Sequence, residues 1–191
     1  EPRYEDHPVD WKPEQDYFTA HDARQAAWWA ILAGGCGHTY GNHDIWQFFD
    51  PNRNKPVSSA RTHWRRAIDH DGAWQVGYLR KLYESHPWNQ LIPEQSLLKS
   101  ENPDDAGYQM ASLGENKDFL FAYTPTGRPL KIDLSKLTAS QLVAYWFNPR
   151  DGVSTKIGDF TNDAIKEFKA PVACPTCDWT LVIDDSAKPW A

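Results

Sequence analysis

The chain has 191 residues, 40% of them hydrophobic and 24% charged, with a formal net charge of −6. That length holds one large domain or two small ones with a sizeable core. The mild acidity leaves no electrostatic footprint for nucleic acid, and no apolar run reaches membrane-spanning length, so neither a nucleic-acid partner nor membrane insertion is expected.

Residues 1–16 (EPRYEDHPVDWKPEQD) are polar, proline-punctuated and non-periodic, and read as a long loop. Pro2 disfavours helix at Glu1 and leaves that residue extended. A helix follows: Thr19 can cap it with Asp22 three residues on, Ala23, Ala26, Ala27, Ala30 and Ile31 recur at helical spacing, and Gly34-Gly35 stop it. Its face is mostly alanine, so it approaches its support closely. Trp28 and Trp29 are adjacent and cannot face the same way.

The next stretch, Cys36 to Phe48 (CGHTYGNHDIWQF), packs two glycines, two histidines, a tyrosine, an amide, a carboxylate and a tryptophan together. It reads as a short buried strand whose polar and aromatic end forms the rim of a binding site. Tyr40 and Trp46 offer flat faces with polar edges, suited to a sugar ring or another aromatic. The plainer alternative is a buried strand and turn whose histidines bond backbone carbonyls. Cys36 is expected to be buried. A metal at His38 and His43 needs a third ligand that the strand does not offer, so no metal is expected. No phosphate-cradling loop, nucleotide motif or Ser/His/Asp order is present, and no cofactor is expected.

Ser58 to Ile68 suggests a short basic helix whose Arg61, Arg65 and Arg66 form a solvated face. Asp71 caps a further helix, Ala73 to Glu84, with Val76, Leu79, Leu82 and Tyr83 on one stripe. Beyond Pro93 the pattern changes to short strand-like runs: Gln109–Leu113, Phe119–Thr124, Leu130–Leu134, Leu142–Phe147, Val153–Ile157 and Trp179–Ile183. Turn signals such as Pro125-Thr126-Gly127 and Asn148-Pro149-Arg150-Asp151-Gly152 separate them. Such spacing predicts a small antiparallel β-sandwich, with Trp146 and Trp179 in its core. Cys174 and Cys177 lack a second pair for zinc, and a short-loop disulfide is favoured over reduced thiols.

The predicted fold class is therefore α/β plus all-β, divided as residues 1–93 and 94–191. A lone buried strand flanked by helices would leave both its edges unpaired. The sensible completion is an upstream set of βα units, making residues 1–93 the C-terminal portion of a (β/α)8 barrel and the missing N-terminal barrel portion its partner. Active sites of such barrels lie at the C-terminal ends of strands. This pairs Glu1, at the end of one strand, with His38 to Trp46 at the end of the next.

EPRYE, AHDARQAAWWAILAGGCGHTYGNHDIWQF and DGAWQVGYLRKLYESHPW together resemble the end of the apiosidase-like catalytic domain, of glycoside hydrolase family 140 type. DFLFAYTPTGRPLKIDL, AYWFNPRDG and DWTLVI resemble the small domain labelled as the collagen-binding domain of a collagenase. The resemblance implies a retaining arrangement of two carboxylates about 5–5.5 Å apart. Glu1 matches the expected nucleophile, with Glu5 as the alternative, and the acid/base would lie on a strand this chain lacks. It further implies substrate contacts from Tyr4, His38, Tyr40, Asn42, His43 and Trp46, and a poly- or oligosaccharide substrate of plant type.

The expected parent is a secreted O-glycosidase, and this chain alone is expected to be inactive. The richness in tryptophan and proline, ten and fourteen residues, is common in secreted carbohydrate-active proteins. Two other readings compete: a non-catalytic extracellular module that binds glycan or collagen, and a β-module that only buttresses the barrel through its last helix.

Overall fold

The computed structural model describes residues 3–188 and residue 190. Its first half is helical: α1 (Ala20–Leu32), a single turn α2 (His43–Trp46), a second turn α3 (Trp64–Ala67) and α4 (Asp71–Glu84). Eight strands follow, β1 (Leu91–Pro93), β2 (Met110–Gly114), β3 (Phe119–Thr124), β4 (Leu130–Asp133), β5 (Gln141–Phe147), β6 (Ser154–Thr161), β7 (Ile165–Phe168) and β8 (Trp179–Asp185).

The helix starts follow their caps. The backbone N–H of Thr19 donates to the Asp22 carboxylate at 2.8 Å, the reciprocal half of a capping box at α1. Gly34 takes a left-handed backbone (φ +90°) just past the end of α1, the conformation that glycine adopts at least cost. Asn42 caps α2 by accepting from the N–H groups of Asp44 (3.0 Å) and Ile45 (3.2 Å). That cap corrects the expected strand over Cys36–Phe48. Helix begins at His43, and the extended part contracts to a parallel bridge between Asn42 and Glu5. Cys36 is exposed, not buried. The basic helix shrinks to α3, and Arg61 lies outside it.

The strands form a six-stranded antiparallel sheet in the order β1-β2-β3-β8-β5-β6, and a two-stranded sheet of β4 and β7. Strand β1 was not predicted; it is an edge strand, where Pro93 removes no necessary hydrogen bond. Nor was β7, whose Ile165, Lys166 and Glu167 are exposed and carry no apolar alternation. The Cys174–Cys177 disulfide is formed.

Alternation sends the side chains of the large sheet to two different cores. Leu120, Ala122, Leu142, Ala144, Trp146, Leu181 and Ile183 face the small sheet, meeting Leu130, Ile132 and Phe168. Trp146 and Trp179 both lie in this core, as expected. On the opposite face, Phe119, Phe121, Tyr123, Phe147 and Val182 pack against Trp28 and Leu32 of α1 and Leu79, Leu82 and Tyr83 of α4. Trp28 stacks on Tyr123 at 5.4 Å between ring centroids, and Tyr83 meets Phe121 at 5.6 Å. Trp28 is fully buried, whereas Trp29 is partly buried and its indole N–H donates to the Tyr108 carbonyl at 2.9 Å.

A polar network centred on Asp178 crosses this interface. Asp178, 0% exposed, receives two hydrogen bonds from Arg24, at 2.8 and 3.1 Å, and one from the Tyr123 hydroxyl at 3.0 Å. Arg150 donates to both its carbonyl (2.8 Å) and its carboxylate (3.2 Å), while Arg24 also donates to Gln75 of α4. Burial pushes the Asp178 carboxyl up, but the neighbouring His21 and the Arg24 guanidinium outweigh it and hold it at about 2.

Removing this carboxylate strands a buried guanidinium, so Asp178→Ala is expected to cost about 3–5 kcal/mol of unfolding free energy in urea titrations. The folded-state value lies below the unfolded one. The stabilisation is therefore full above about pH 4 and is lost as pH falls towards 2. Asp178→Asn is expected to flatten the stability curve in that window.

Candidate functional site

Residues 3–6 and 40–43 run side by side in parallel. The Glu5 N–H donates to the Gly41 carbonyl at 2.9 Å, and the His43 N–H to the Glu5 carbonyl at 2.9 Å. Neighbours along an extended segment point to opposite sides. On one side the Tyr4 ring lies against Gly41, where a Cβ would overlap its carbons. On the other, the buried Glu5 carboxylate accepts from the Tyr40 hydroxyl at 2.5 Å and from the Gly72 N–H at 3.1 and 3.3 Å.

Gly72 is the second residue of α4, whose N-cap residue His70 makes no side-chain cap. Glu5 thus adds, from a distant extended segment, a second carboxylate to a helix start that already carries Asp71. Burial, reinforced by the Glu5 carboxylate, raises the Tyr40 phenol far above its ordinary value, so it remains a donor. A Cβ at Gly72 would meet both the Glu5 carboxylate and the Tyr40 ring.

The other predicted site residues separate into distinct places. The Asn42 side chain caps α2 and donates to His70 Nδ1 at 3.0 Å. His43 is fully buried: its Nε2 lies 3.0 Å from the carbonyls of Val57 and Ser58, and its Nδ1 accepts from the Trp46 indole at 3.2 Å. That fixes the proton on Nε2 and leaves neither ring nitrogen free. Trp46 is half-exposed. His38 lies away from Glu5, in an apolar cavity of about 380 Å³ with Ile31, Leu79, Tyr83 and Trp88. Burial lowers the pKa of His38 and favours the neutral ring. Glu1 lies outside the described residues.

Three residues that the sequence reading passed over, Asp6, Asp44 and Thr62, sit near Glu5 together with Arg61, which is paired and not on the expected solvated face. Asp6 is buried and held by the Arg61 guanidinium, with Nε at 2.7 Å, and by the Thr62 hydroxyl at 2.8 Å. Asp44 is fully buried and accepts from the backbone N–H groups of Arg61 and Thr62, both at 3.0 Å. Burial and then the Asp6 carboxyl raise Asp44 to about 6. Burial also pushes Asp6 up, but hydrogen bonds from Arg61, Asp44 and Thr62 outweigh it and leave Asp6 lowered. The two carboxyls therefore titrate apart, with the first proton held on Asp44. The available signal was an acidic residue one or two positions past each bridge residue, at Asp6 and Asp44, with a basic loop to match.

Glu5, Asp6, Phe18, Arg61 and His70 line a cleft of about 440 Å³ between the starts of α1 and α4. Among the described residues no group of three or more His, Cys, Asp or Glu side chains is placed to hold a metal ion. No helix there is long and apolar enough to cross a membrane.

Residues 1–90 match the family described as "Apiosidase-like, catalytic domain", and residues 92–184 match "Putative collagen-binding domain of a collagenase". Among solved structures, a glycoside hydrolase superposes over the whole chain with a TM-score of 0.94 at 30% identity. A glycoside hydrolase family 5 protein from Bacteroides vulgatus does so with a TM-score of 0.93 at 32% identity. The chain spans 42% and 41% of those two proteins. No curated protein matches. Residues 1–90 are thus similar to the apiosidase-like catalytic-domain family and residues 92–184 to the collagen-binding-domain family, each match spanning just under half of the chain.

Proposed function

We propose that this chain is part of a secreted retaining glycoside hydrolase acting on plant-type polysaccharide, its (β/α)8 barrel completed by residues upstream of Glu1. The observation that carries the reading is the parallel bridge of Glu5 with Asn42, with the Glu5 carboxylate on the start of α4. Glycoside hydrolases superpose on it throughout. In a barrel of this kind the chemistry sits at the C-terminal ends of the strands. The Cys174–Cys177 disulfide supports an oxidising compartment.

Glu1 is the nucleophile in this reading. The alternative, Glu5, has its carboxylate committed to the Tyr40 hydroxyl and the start of α4. A carboxylic acid from the upstream part protonates the leaving group, about 5–5.5 Å from Glu1. Residues 94–191 act as a buttress. The sheet face they present is the one covered by α1 and α4 through the Trp28–Tyr123 stack, which favours this over a free binding surface.

In the full-length parent, Glu1→Gln is expected to lower turnover of an aryl glycoside by at least about a thousandfold, with the melting temperature unchanged. Glu5→Gln is expected to do the opposite, losing about 1–3 kcal/mol of stability through the start of α4 while retaining most turnover. If turnover survives Glu1→Gln and disappears in a stable Glu5→Gln protein, the nucleophile is Glu5. The 191-residue chain alone is expected to release no product from the same substrate, because one carboxylate cannot both attack and protonate efficiently.

A further inference from the structure

The segment that leads into β8 is crosslinked to itself just before it enters the buried network. Residues 171–173 and 175–176 are exposed, Cys174 and Cys177 are half-buried, and Asp178 directly after them is 0% exposed. Among the described residues, none of 171–177 packs into either hydrophobic core. Polar contacts hold this loop instead. The Cys174 N–H donates to the Thr126 carbonyl and the Cys177 N–H to the Cys174 carbonyl, both at 3.1 Å. The Trp179 indole N–H donates to the Val172 carbonyl, also at 3.1 Å. Gly127 (φ +69°) lets the loop lie directly on its backbone: a Cβ there would meet the Val172 carbonyl, the Ala173 Cα and the Cys177 carbonyl.

The disulfide joins residues with a sequence separation of only 3. The stabilisation that a crosslink gives by restricting the unfolded chain grows with the loop it closes, so this one is a weak global staple. Its effect is local. It fixes Cys177, the residue before Asp178, and Asp178 holds Arg24 of α1, Tyr123 of β3 and Arg150 at once. Exposed disulfides are also the ones that external thiols open most readily. The Thr176 hydroxyl lies 3.8 Å from Cys174 Sγ, where it can hydrogen-bond a departing Cys174 thiolate. That favours attack on the Cys177 sulfur.

We propose that Cys174–Cys177 is a redox-labile latch: an external dithiol opens it in the folded chain and thereby loosens the Asp178 joint between the helical half and the sheet. The latch goes beyond the hydrolase reading and does not depend on it. One thiolate of the dithiol attacks Cys177 Sγ, the S–S bond breaks, and Cys174 leaves as a thiolate that takes a proton from water. The second thiolate of the dithiol then attacks the reductant's sulfur in the mixed disulfide and releases Cys177, which is protonated in turn. The protein disulfide gains two electrons and two protons, and the dithiol is oxidised to a disulfide.

The test is a titration of the native 191-residue chain with dithiothreitol, in which free thiols are trapped with a maleimide and counted by mass spectrometry. Without denaturant, the oxidised chain is expected to label once, at Cys36, and the reduced chain also at Cys174 and Cys177. Reduction should lower the Tm by about 5 °C. The Cys174→Ser/Cys177→Ser double variant should show that lower Tm in either redox state, and Cys36→Ser should not change the loss. Amide hydrogen exchange in the reduced chain should rise in α1 and β8 as well as in residues 171–177, and stay constant in β6. In Asp178→Asn, reduction should lower the Tm by less than about half as much. Labelling of Cys174 and Cys177 only on unfolding, or equal Tm values before and after reduction, overturns the latch. So does faster exchange confined to residues 171–177, or an undiminished loss in Asp178→Asn. If Asp178→Asn does not fold, the exchange pattern of the unsubstituted chain decides.

Discussion

The two halves of this chain are tied by one buried charge. Asp178 lies at the entry to β8 and Arg24 inside α1, and each would be costly to bury alone. Because the guanidinium fork and the carboxylate meet through two hydrogen bonds, the pair fixes distance and direction together. Tyr123 and Arg150 fill remaining acceptor positions on Asp178, and Gln75 brings α4 into the same network. The aromatic packing around it is non-directional and would accept several registers. The charge pair accepts one. A second buried polar contact, His86 Nε2 to Asp184 at 3.1 Å, joins the residues just past α4 to β8.

The same economy governs the strand ends. Glu5, Tyr40, Asn42 and His43 are polar groups of the kind that bind ligands, yet each is committed to holding a helix or a loop. What remains directed outward is the part they position: the Trp46 indole on His43, and the hairpin that begins at Asp6. The site is therefore built in two layers, a buried polar layer that sets geometry and an aromatic layer that meets solvent.

Much of the architecture was legible because it is local. Thr19 and Asp22 announce α1, Gly34 ends it, and the short apolar runs Phe119 to Thr124 and Leu142 to Phe147, bounded by turn signals, give strands. The stretch around Asn42 was misread because its glycines and aromatics suit a strand, whereas the deciding signal is a single amide that caps two backbone N–H groups. Arg61 was misread for a different reason. Its partner Asp6 is 55 residues away, and nothing in a basic run distinguishes a solvated cation from a paired one. Of the candidate site, residue types were legible. Their assignments as caps and anchors were not, because those depend on contacts between distant segments such as Glu5 with Gly72.

Strand β3 is buried on both faces along its whole length, every residue from Phe119 to Thr124 being buried. In an antiparallel sheet one face is commonly free to meet water; here the helical half occupies it. Such a sheet is poorly suited to domain shuffling. Joined to an unrelated neighbour, it would present Phe119, Phe121, Tyr123 and Phe147 to solvent. A smaller ring on either side of this seam would leave a cavity that only a larger residue on the other side could fill.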